Sequence, residues 1–272
     1  MKIREKLAYI YGKLEPRLLA VFNKLLKSKF FTRNKVGRGV AKAVAVINWY
    51  LPYGVVIPYP LLMKYLEKIS GETEIYAGPC PCKKVYAKKF GADKVEDPDL
   101  LTDIVFFAGI GAGKAYGIEN YRKVDLEWLR KNLLLYTEKK LVPTVYACFR
   151  SKKFIFVLCN CDPRYCVPLR AYMAWGKGIS SSPYVSARDK EKCEYCMQCF
   201  SVCPVKAIGK DLEVDANKCL GCGLCVYHCP TGARFLDRRE GWRAPRFAKF
   251  VEGLAEKEVL VKEDWEVIGN GR

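Results

Sequence analysis

Apolar residues recur at helical spacing through Ile3, Leu7, Ile10, Leu14, Leu18, Phe22, Leu25 and Leu26, with Lys and Arg between them. That period predicts a basic amphipathic helix, interrupted near Pro16, whose ring fixes φ and removes a backbone donor. Between Lys42 and Lys64 no charge occurs for twenty-one residues, AVAVINWYLPYGVVIPYPLLM, which is the length of a membrane span. Pro52, Gly54, Pro58 and Pro60 interrupt any continuous helix there, so a buried, partly extended core segment is expected in place of a transmembrane span. Residues 59–70 then read as a short amphipathic helix ending at Gly71, a natural C-cap.

The middle of the chain changes period. TEIYAG reads as a strand running into PCPC, and DIVFFAG as a second strand ending in GIGAGKAYG. DLEWLRKNLLLYTEKK has the spacing of a helix, with Asp125 placed to cap it. TVYACF and KFIFVLC flank RSK as a β-hairpin that delivers Cys159 and Cys161 to the end of a strand. In that hairpin Cys148 falls nearer Ile155 than Cys159 and is expected to be a lone buried cysteine.

Composition narrows the chemistry. Half of the 272 residues are hydrophobic and 28% are charged, the mix of a globular protein. Lys and Arg outnumber Asp and Glu by 47 to 29, a formal charge of +18, which favours acidic partners, nucleic acid or an anionic membrane surface. Fourteen cysteines accompany one histidine, His228. The opening MKIREKLAYIYGKLEPR has charges throughout and no apolar signal core, so a cytoplasmic, metal-binding use of cysteine is expected over a disulfide framework. A single histidine excludes Cys2His2 fingers, histidine metalloproteases and histidine-based triads, and leaves thiolate sites.

From residue 187 the texture changes again. CEYCMQCFSVCPVKAIG, starting at Cys193, returns 26 residues later as CLGCGLCVYHCPTGARF, starting at Cys219. Each copy is C-x2-C-x2-C-x3-C-P. Three close cysteines on one turning loop can cup a cubane, while the fourth departs with its proline toward the other cluster. Residues 187–237 strongly resemble bacterial-type dicluster ferredoxins. That resemblance implies one [4Fe–4S] cluster on Cys193, Cys196, Cys199 and Cys229, and a second on Cys203, Cys219, Cys222 and Cys225, with Pro204 and Pro230 turning the chain. A zinc ribbon is the bland alternative, but zinc motifs rarely share a fourth ligand across repeats. Gly221, Gly223, Ala207 and Ala233 are small enough to let backbone N–H groups approach the sulfides. His228 beside Cys229 is read as a packing residue. Two clusters at about −2 each leave the protein basic, at roughly +14, which favours a docked carrier over a freely diffusing one.

Other signals are weaker. GIGAGK has the look of a phosphate loop, yet a Walker motif needs Gly at 108 and Ser or Thr at 115, and both are Ala. A glycine-rich turn is the expected reading. RREGWRAPRF mixes Arg with aromatics. Because it follows directly on the cysteine repeats, wrapping over that domain or docking a partner is expected ahead of nucleic-acid binding.

Five thiols remain: Cys80 and Cys82 in PCPC, and Cys159, Cys161 and Cys166 in VLCNCDPRYC. A C-x-C pair, a CNC hairpin end and a dicluster ferredoxin segment together resemble a group of uncharacterised bacterial and archaeal [4Fe–4S] proteins, over roughly residues 55–237. The chain departs from that group in having Lys83 where an Arg is usual and Asp162–Tyr165 where further cysteines occur. No activity follows from this resemblance. Alternate residues of a strand point the same way, so each pair can present two sulfurs in one direction, and four or five converge if the strands are neighbours. A third [4Fe–4S] cluster is the first expectation, with zinc and then disulfides or redox-active thiols as alternatives. The expected ligands are Cys80, Cys82, Cys161 and Cys166, with Cys159 as substitute.

The expected architecture is α+β: a helical region (1–70), a small α/β cysteine-bearing domain (71–186), a dicluster ferredoxin-like domain (187–237) and a basic extension (238–272). The expected function is electron transfer through two [4Fe–4S] clusters to a redox partner protein, acidic at its docking surface, as part of a larger redox system with a third thiolate site. A cytoplasmic location is expected, compatible with a position at the membrane periphery. The alternatives are a reductase whose third centre binds substrate, and a metal-stabilised basic protein on nucleic acid or a membrane surface.

Overall fold

The computed structural model describes residues 17–47, 54–69, 73–108, 120–148, 155–244, 250–255 and 257–270. Residues 17–27 are helical, followed by α1 (Lys29–Arg33) and α2 (Lys35–Ile47). Then come β1 (Gly54–Val56), α3 (Tyr59–Ile69), β2 (Thr73–Pro79), α4 (Pro81–Phe90), β3 (Leu101–Ala108) and β4 (Arg122–Val124). The central elements are α5 (Leu126–Glu138), β5 (Val142–Cys148), β6 (Ile155–Cys161), α6 (Val167–Trp175) and β7 (Ile179–Ser180). The C-terminal part contains β8 (Tyr184–Arg188), α7 (Gln198–Val202), α8 (Leu224–Tyr227), β9 (Arg234–Arg238), α9 (Phe250–Leu254), β10 (Val259–Leu260) and α10 (Glu263–Asn270). The mixture of helices and strands is the expected α+β class. The segment before Pro16, the GIGAGK turn and the RSK turn of the hairpin lie outside the described residues.

The charge-free stretch divides as its prolines require. A helix runs to Ile47, a short strand covers Gly54–Val56, and a new helix starts at Tyr59. Val55, Val56 and Ile57 are wholly buried. Among the described residues no helix is long and apolar enough to cross a membrane.

The chain folds into two compact units, each built from several segments. The first comprises residues 1–54, 72–124 and 145–179. Its sheet has the order β4-β2-β3-β6, continued by the Val145–Cys148 part of β5. β3 is antiparallel to both β2 and β6, with Tyr76 opposite Val105 and Asp103 opposite Cys159. β2 and β6 therefore run parallel to each other and end at the same edge of the sheet. Ala77, Ile104 and Leu158 are fully buried at its centre. On this unit α6 is fastened by two long-range bonds, Trp175 Nε1 donating to Phe31 O (2.9 Å) and Arg170 Nη1 to Asn23 Oδ1 (2.6 Å).

The second unit comprises 55–71, 125–144 and 180–272. Asp125 caps α5 by accepting from Trp128 N at 2.7 Å, as its position suggests. Leu62, Leu66, Leu129, Leu133, Tyr136 and Trp265 form fully or almost fully buried layers of its core. A three-stranded antiparallel sheet, β10-β9-β8, carries the cysteine repeats between β8 and β9. The basic stretch after β9 folds over this segment: Arg239 donates to Tyr184 O, Ala216 O and Cys219 O, and Trp242 Nε1 to Ser181 O. It is thus used in wrapping, one of the two readings its position allowed.

Candidate metal centres

The two repeats have one backbone shape with different residues. Left-handed φ values occur at Tyr195 (53°), Met197 (63°) and Lys206 (52°) in the first repeat. They recur 26 residues later at Gly221 (62°), Gly223 (83°) and Gly232 (67°). Such residues turn the loop so tightly that successive cysteines face one side. Glycine accepts this conformation freely, whereas other residues adopt it at about 1–2 kcal/mol each. Two of the glycines are also needed for space. A Cβ on Gly221 would strike Tyr184 O and Ser182 Oγ, and one on Gly223 would strike the Trp265 ring.

Cys203, Cys219, Cys222 and Cys225 line one cavity, the set expected for the second cluster. It is partly open to solvent, and Ser186, Ala207, Leu220 and Leu236 complete its lining. Backbone donors surround it. Cys203 Sγ accepts from Ala207 N (3.2 Å), and Cys219 Sγ from Gly221 N (3.4 Å) and Ser186 N (3.5 Å). Burial pushes the Cys219 thiol up, and pushes Cys225 up to about 12. Thiols held in this way ionise only when a cation offsets the charge, which bound iron does.

In the first repeat Cys193, Cys196 and Cys199 lie on the matching loop and its helix, and Cys229 follows α8. Cys196 is exposed, Cys193 half-buried, and Cys199 and Cys229 buried. The Tyr195 N–H, then the Arg188 and Arg234 guanidinium groups, hold the Cys193 thiol below its ordinary range against burial. Arg234 is 2% exposed. It donates through Nη2 to Leu212 O at 2.5 Å, while Nε and Nη1 find no partner among the described residues. Its charge acts on both Cys193 and Cys225. A buried cation with spare donors beside cysteines of both sets fits a site built for anionic clusters. Neither Arg188 nor Arg234 was singled out from the sequence, where each is one arginine among many. His228 is a packing residue: Nε2 lies 3.2 Å from Thr137 O, and burial lowers its pKa.

Residues 187–209 and 212–235 match the family model of the 4Fe-4S binding domain. Two [4Fe–4S] clusters are the cofactors of this segment. The same region is 40% identical over 52 residues to pyruvate synthase subunit PorD of Methanothermobacter marburgensis, covering 19% of this chain and 64% of that protein. The Hdr-like menaquinol oxidoreductase iron-sulfur subunit 1 of Archaeoglobus fulgidus is 38% identical over 76 residues, 24% of this chain and 28% of that protein. The thiosulfate reductase electron transfer subunit PhsB of Salmonella typhi is 38% identical over 55 residues, 18% and 29% respectively. The chain thus spans less than two thirds of the length of each of these relatives.

The other five thiols also come together, though not by the route their spacing suggests. Only Cys159 and Cys161 lie on a strand. Cys80 is the N-cap of α4 and Cys82 sits in its first turn, because Pro81 starts a helix immediately after β2. Cys166 is likewise the N-cap of α6. Nor are the strands neighbours: β3 separates β2 from β6. Convergence arises because β2 and β6 end at the same edge. Cys80 Sγ is in hydrogen-bonding contact with Cys82 and Cys159, Cys82 with Cys166, and Cys161 with Cys159 and Cys166. The five sulfurs form a closed ring, and each residue is at most 8% exposed. All thirteen described cysteines are free of disulfides. The Cys148 side chain lies outside the described residues. In CNC, Asn160 turns to the opposite face and donates through Nδ2 to Thr102 O at 3.1 Å.

Around the ring, thiol contacts from Cys159 and Cys82, helped by the Lys83 and Cys82 N–H groups, hold the Cys80 thiol well below its usual range. These N–H groups approach without closing a standard capping bond. Lys83, 3% exposed, lies 3.7 Å from Asp162, 2% exposed, and its Nζ donates to Glu96 O at 2.9 Å. Asp162 accepts from Arg164 N, Nε and Nη2 at 2.8–3.0 Å, tying the turn after β6 to that lysine. Tyr146 OH lies 3.7 Å from Cys161 Sγ. Among the described residues no three or more Cys, His, Asp or Glu side chains meet the geometry for a single metal ion.

Proposed function

We propose that the protein is an electron-transfer subunit of a larger redox complex, carrying electrons through the two clusters of residues 187–237. The observation that carries this reading is the cavity lined by Cys203, Cys219, Cys222 and Cys225, with N–H groups of Ala207, Ser186 and Gly221 on its sulfurs. When bound, the clusters supply reversible one-electron chemistry. The chain's own residues hold the thiolates, limit water and set the charge around them. Similarity to subunits named for pyruvate synthase, menaquinol oxidoreductase and thiosulfate reductase supports a place in a multi-subunit assembly.

Cys196 is exposed, and Tyr195 and Phe200 beside it are 60% and 38% exposed, so the first cluster's rim is the proposed contact with a redox partner. A net charge of +18 before cluster loading favours an acidic docking surface on that partner. The same charge is compatible with residence at an anionic membrane surface. In the test, Cys196→Ala and Cys222→Ala each remove a different EPR signal from the reduced, anaerobically purified full chain. Both are expected to stop electron flow from dithionite-reduced protein to an acceptor such as the physiological partner or a c-type cytochrome. Unaltered flow in the double variant would refute the reading.

A further inference from the structure

The five-thiol ring needs an explanation of its own. The thiols at the end of β6 and the starts of α4 and α6 form no disulfide. Their surroundings are arranged for negative charge. Two helices of ten and nine residues begin at Cys80 and Cys166, so two helix N-termini, each carrying a partial positive charge, are directed at the ring. Lys83 N and Cys82 N face Cys80 Sγ, and Val167 N faces Cys82 Sγ. The Arg170 guanidinium acts on Cys82 and Cys166 from α6 and is itself held by Asn23. Five neutral thiols would need none of this, and several bare thiolates in mutual contact would repel one another strongly. An anionic metal–thiolate group fits both facts.

We propose that Cys80, Cys82, Cys161 and Cys166 hold a third iron–sulfur centre of the [4Fe–4S] type, with Cys159 as a non-ligating thiol beside it. A thiolate-only donor set matches iron–sulfur ligation; zinc, which also takes four thiolates, is an outcome of the test below. Cys159 is set apart by its neighbours. It lies opposite Asp103 in the β3–β6 register, and Asp103 is buried and accepts from Tyr121 OH at 2.5 Å. Asp103 lies across from Cys159, whereas Cys82 and Cys166 act on the Arg170 guanidinium, and Cys159 is accordingly the thiol assigned outside the centre. The assignment uses no residue of the two C-terminal clusters, and it shares with the proposed function only the premise that the chain is loaded with iron and sulfide.

Iron and acid-labile sulfide are counted on the anaerobically reconstituted full chain, with circular dichroism confirming the fold of each variant. Wild-type protein is expected to hold about twelve of each, four per cluster. Cys82→Ser/Cys161→Ser is expected to hold about eight and to keep both C-terminal EPR signals, and Cys159→Ser to keep about twelve. Cys196→Ala/Cys222→Ala, which tests the C-terminal clusters separately, is expected to retain about four irons at the ring. Wild-type protein with about eight irons overturns the proposal, as does one zinc per chain. Loss of four irons from Cys159→Ser overturns the ligand assignment. The wild-type iron and sulfide count needs no variant, so a misfolded substitution does not shield the proposal.

Discussion

The two cysteine-rich regions reach similar chemistry by opposite means. In residues 187–237 the eight repeat cysteines come from two local loops, left-handed residues recur at matched positions, and a cavity lies among Cys203, Cys219, Cys222 and Cys225. Around Cys80 and Cys161 the thiols come from the ends of two non-adjacent strands and the first turns of two helices, and they close on one another. The first arrangement packs Ile208, Leu220, Leu224 and Leu236 around a cavity and depends on what fills it. The second sits at the edge of a sheet already stabilised by Ile104, Leu158 and Ala77. Local construction makes both the thiols and their grouping readable; construction on a scaffold leaves the five thiols visible in the sequence but not the way they meet.

The largest test of this contrast is iron removal. Anaerobic chelation of the full chain is expected to reduce hydrogen-exchange protection across 187–237 while β2, β3 and β6 keep theirs, because metal-binding free energy becomes folding free energy where the ligand loops themselves are closed by the metal. Equal loss in both regions would break the comparison. Next comes Gly223→Ala, which meets both a φ of 83° and the Trp265 ring and should cost about 2 kcal/mol or more. Gly232→Ala, with φ 67° and open space around it, should cost only about 1 kcal/mol, the conformational part alone. Chemical denaturation of the loaded protein separates the two.

Arg234→Gln removes a buried positive charge that acts on Cys193 and Cys225. Because a cation favours the more negative reduced cluster, the potentials should move downward by on the order of tens of millivolts, where 59 mV corresponds to tenfold for one electron. An EPR-monitored titration in which both C-terminal signals kept their midpoints would place Arg234 in a purely structural role. Smallest of all is Tyr195→Gly. It relieves a left-handed residue in the first repeat at some entropic cost, for a net gain of less than about 1 kcal/mol. A loss measured by the same denaturation would mean that the exposed ring, with Arg188 at 5.3 Å from its centroid, contributes more than its backbone costs.

Much of this was legible beforehand, for identifiable reasons. TEIYAG, DIVFFAG and the Asp125-capped helix are local patterns whose period and capping residue act within a few neighbours, and all three appear where expected. The eight repeat cysteines were legible because cluster ligation constrains spacing within one loop. PCPC was misread as the continuation of a strand because Pro81 serves equally as a strand end or a helix start, and only packing against the sheet selects the helix. Arg188, Arg234 and Arg170 could not be picked out, since nothing local distinguishes a buried arginine from a surface one.

The sequence by itself determined the two clusters, the spacing of the repeat cysteines and the α+β alternation, because each depends on residues close together along the chain. Only the tertiary structure decided that five further thiols meet in a ring, and that Asn160 between two of them faces the other way. It also chose which arginines lie beside the cysteines. These depend on β3 passing between β2 and β6, so that two parallel strands end at one edge. Strand order is set by burial summed over the whole sheet, a quantity that no short stretch of sequence contains.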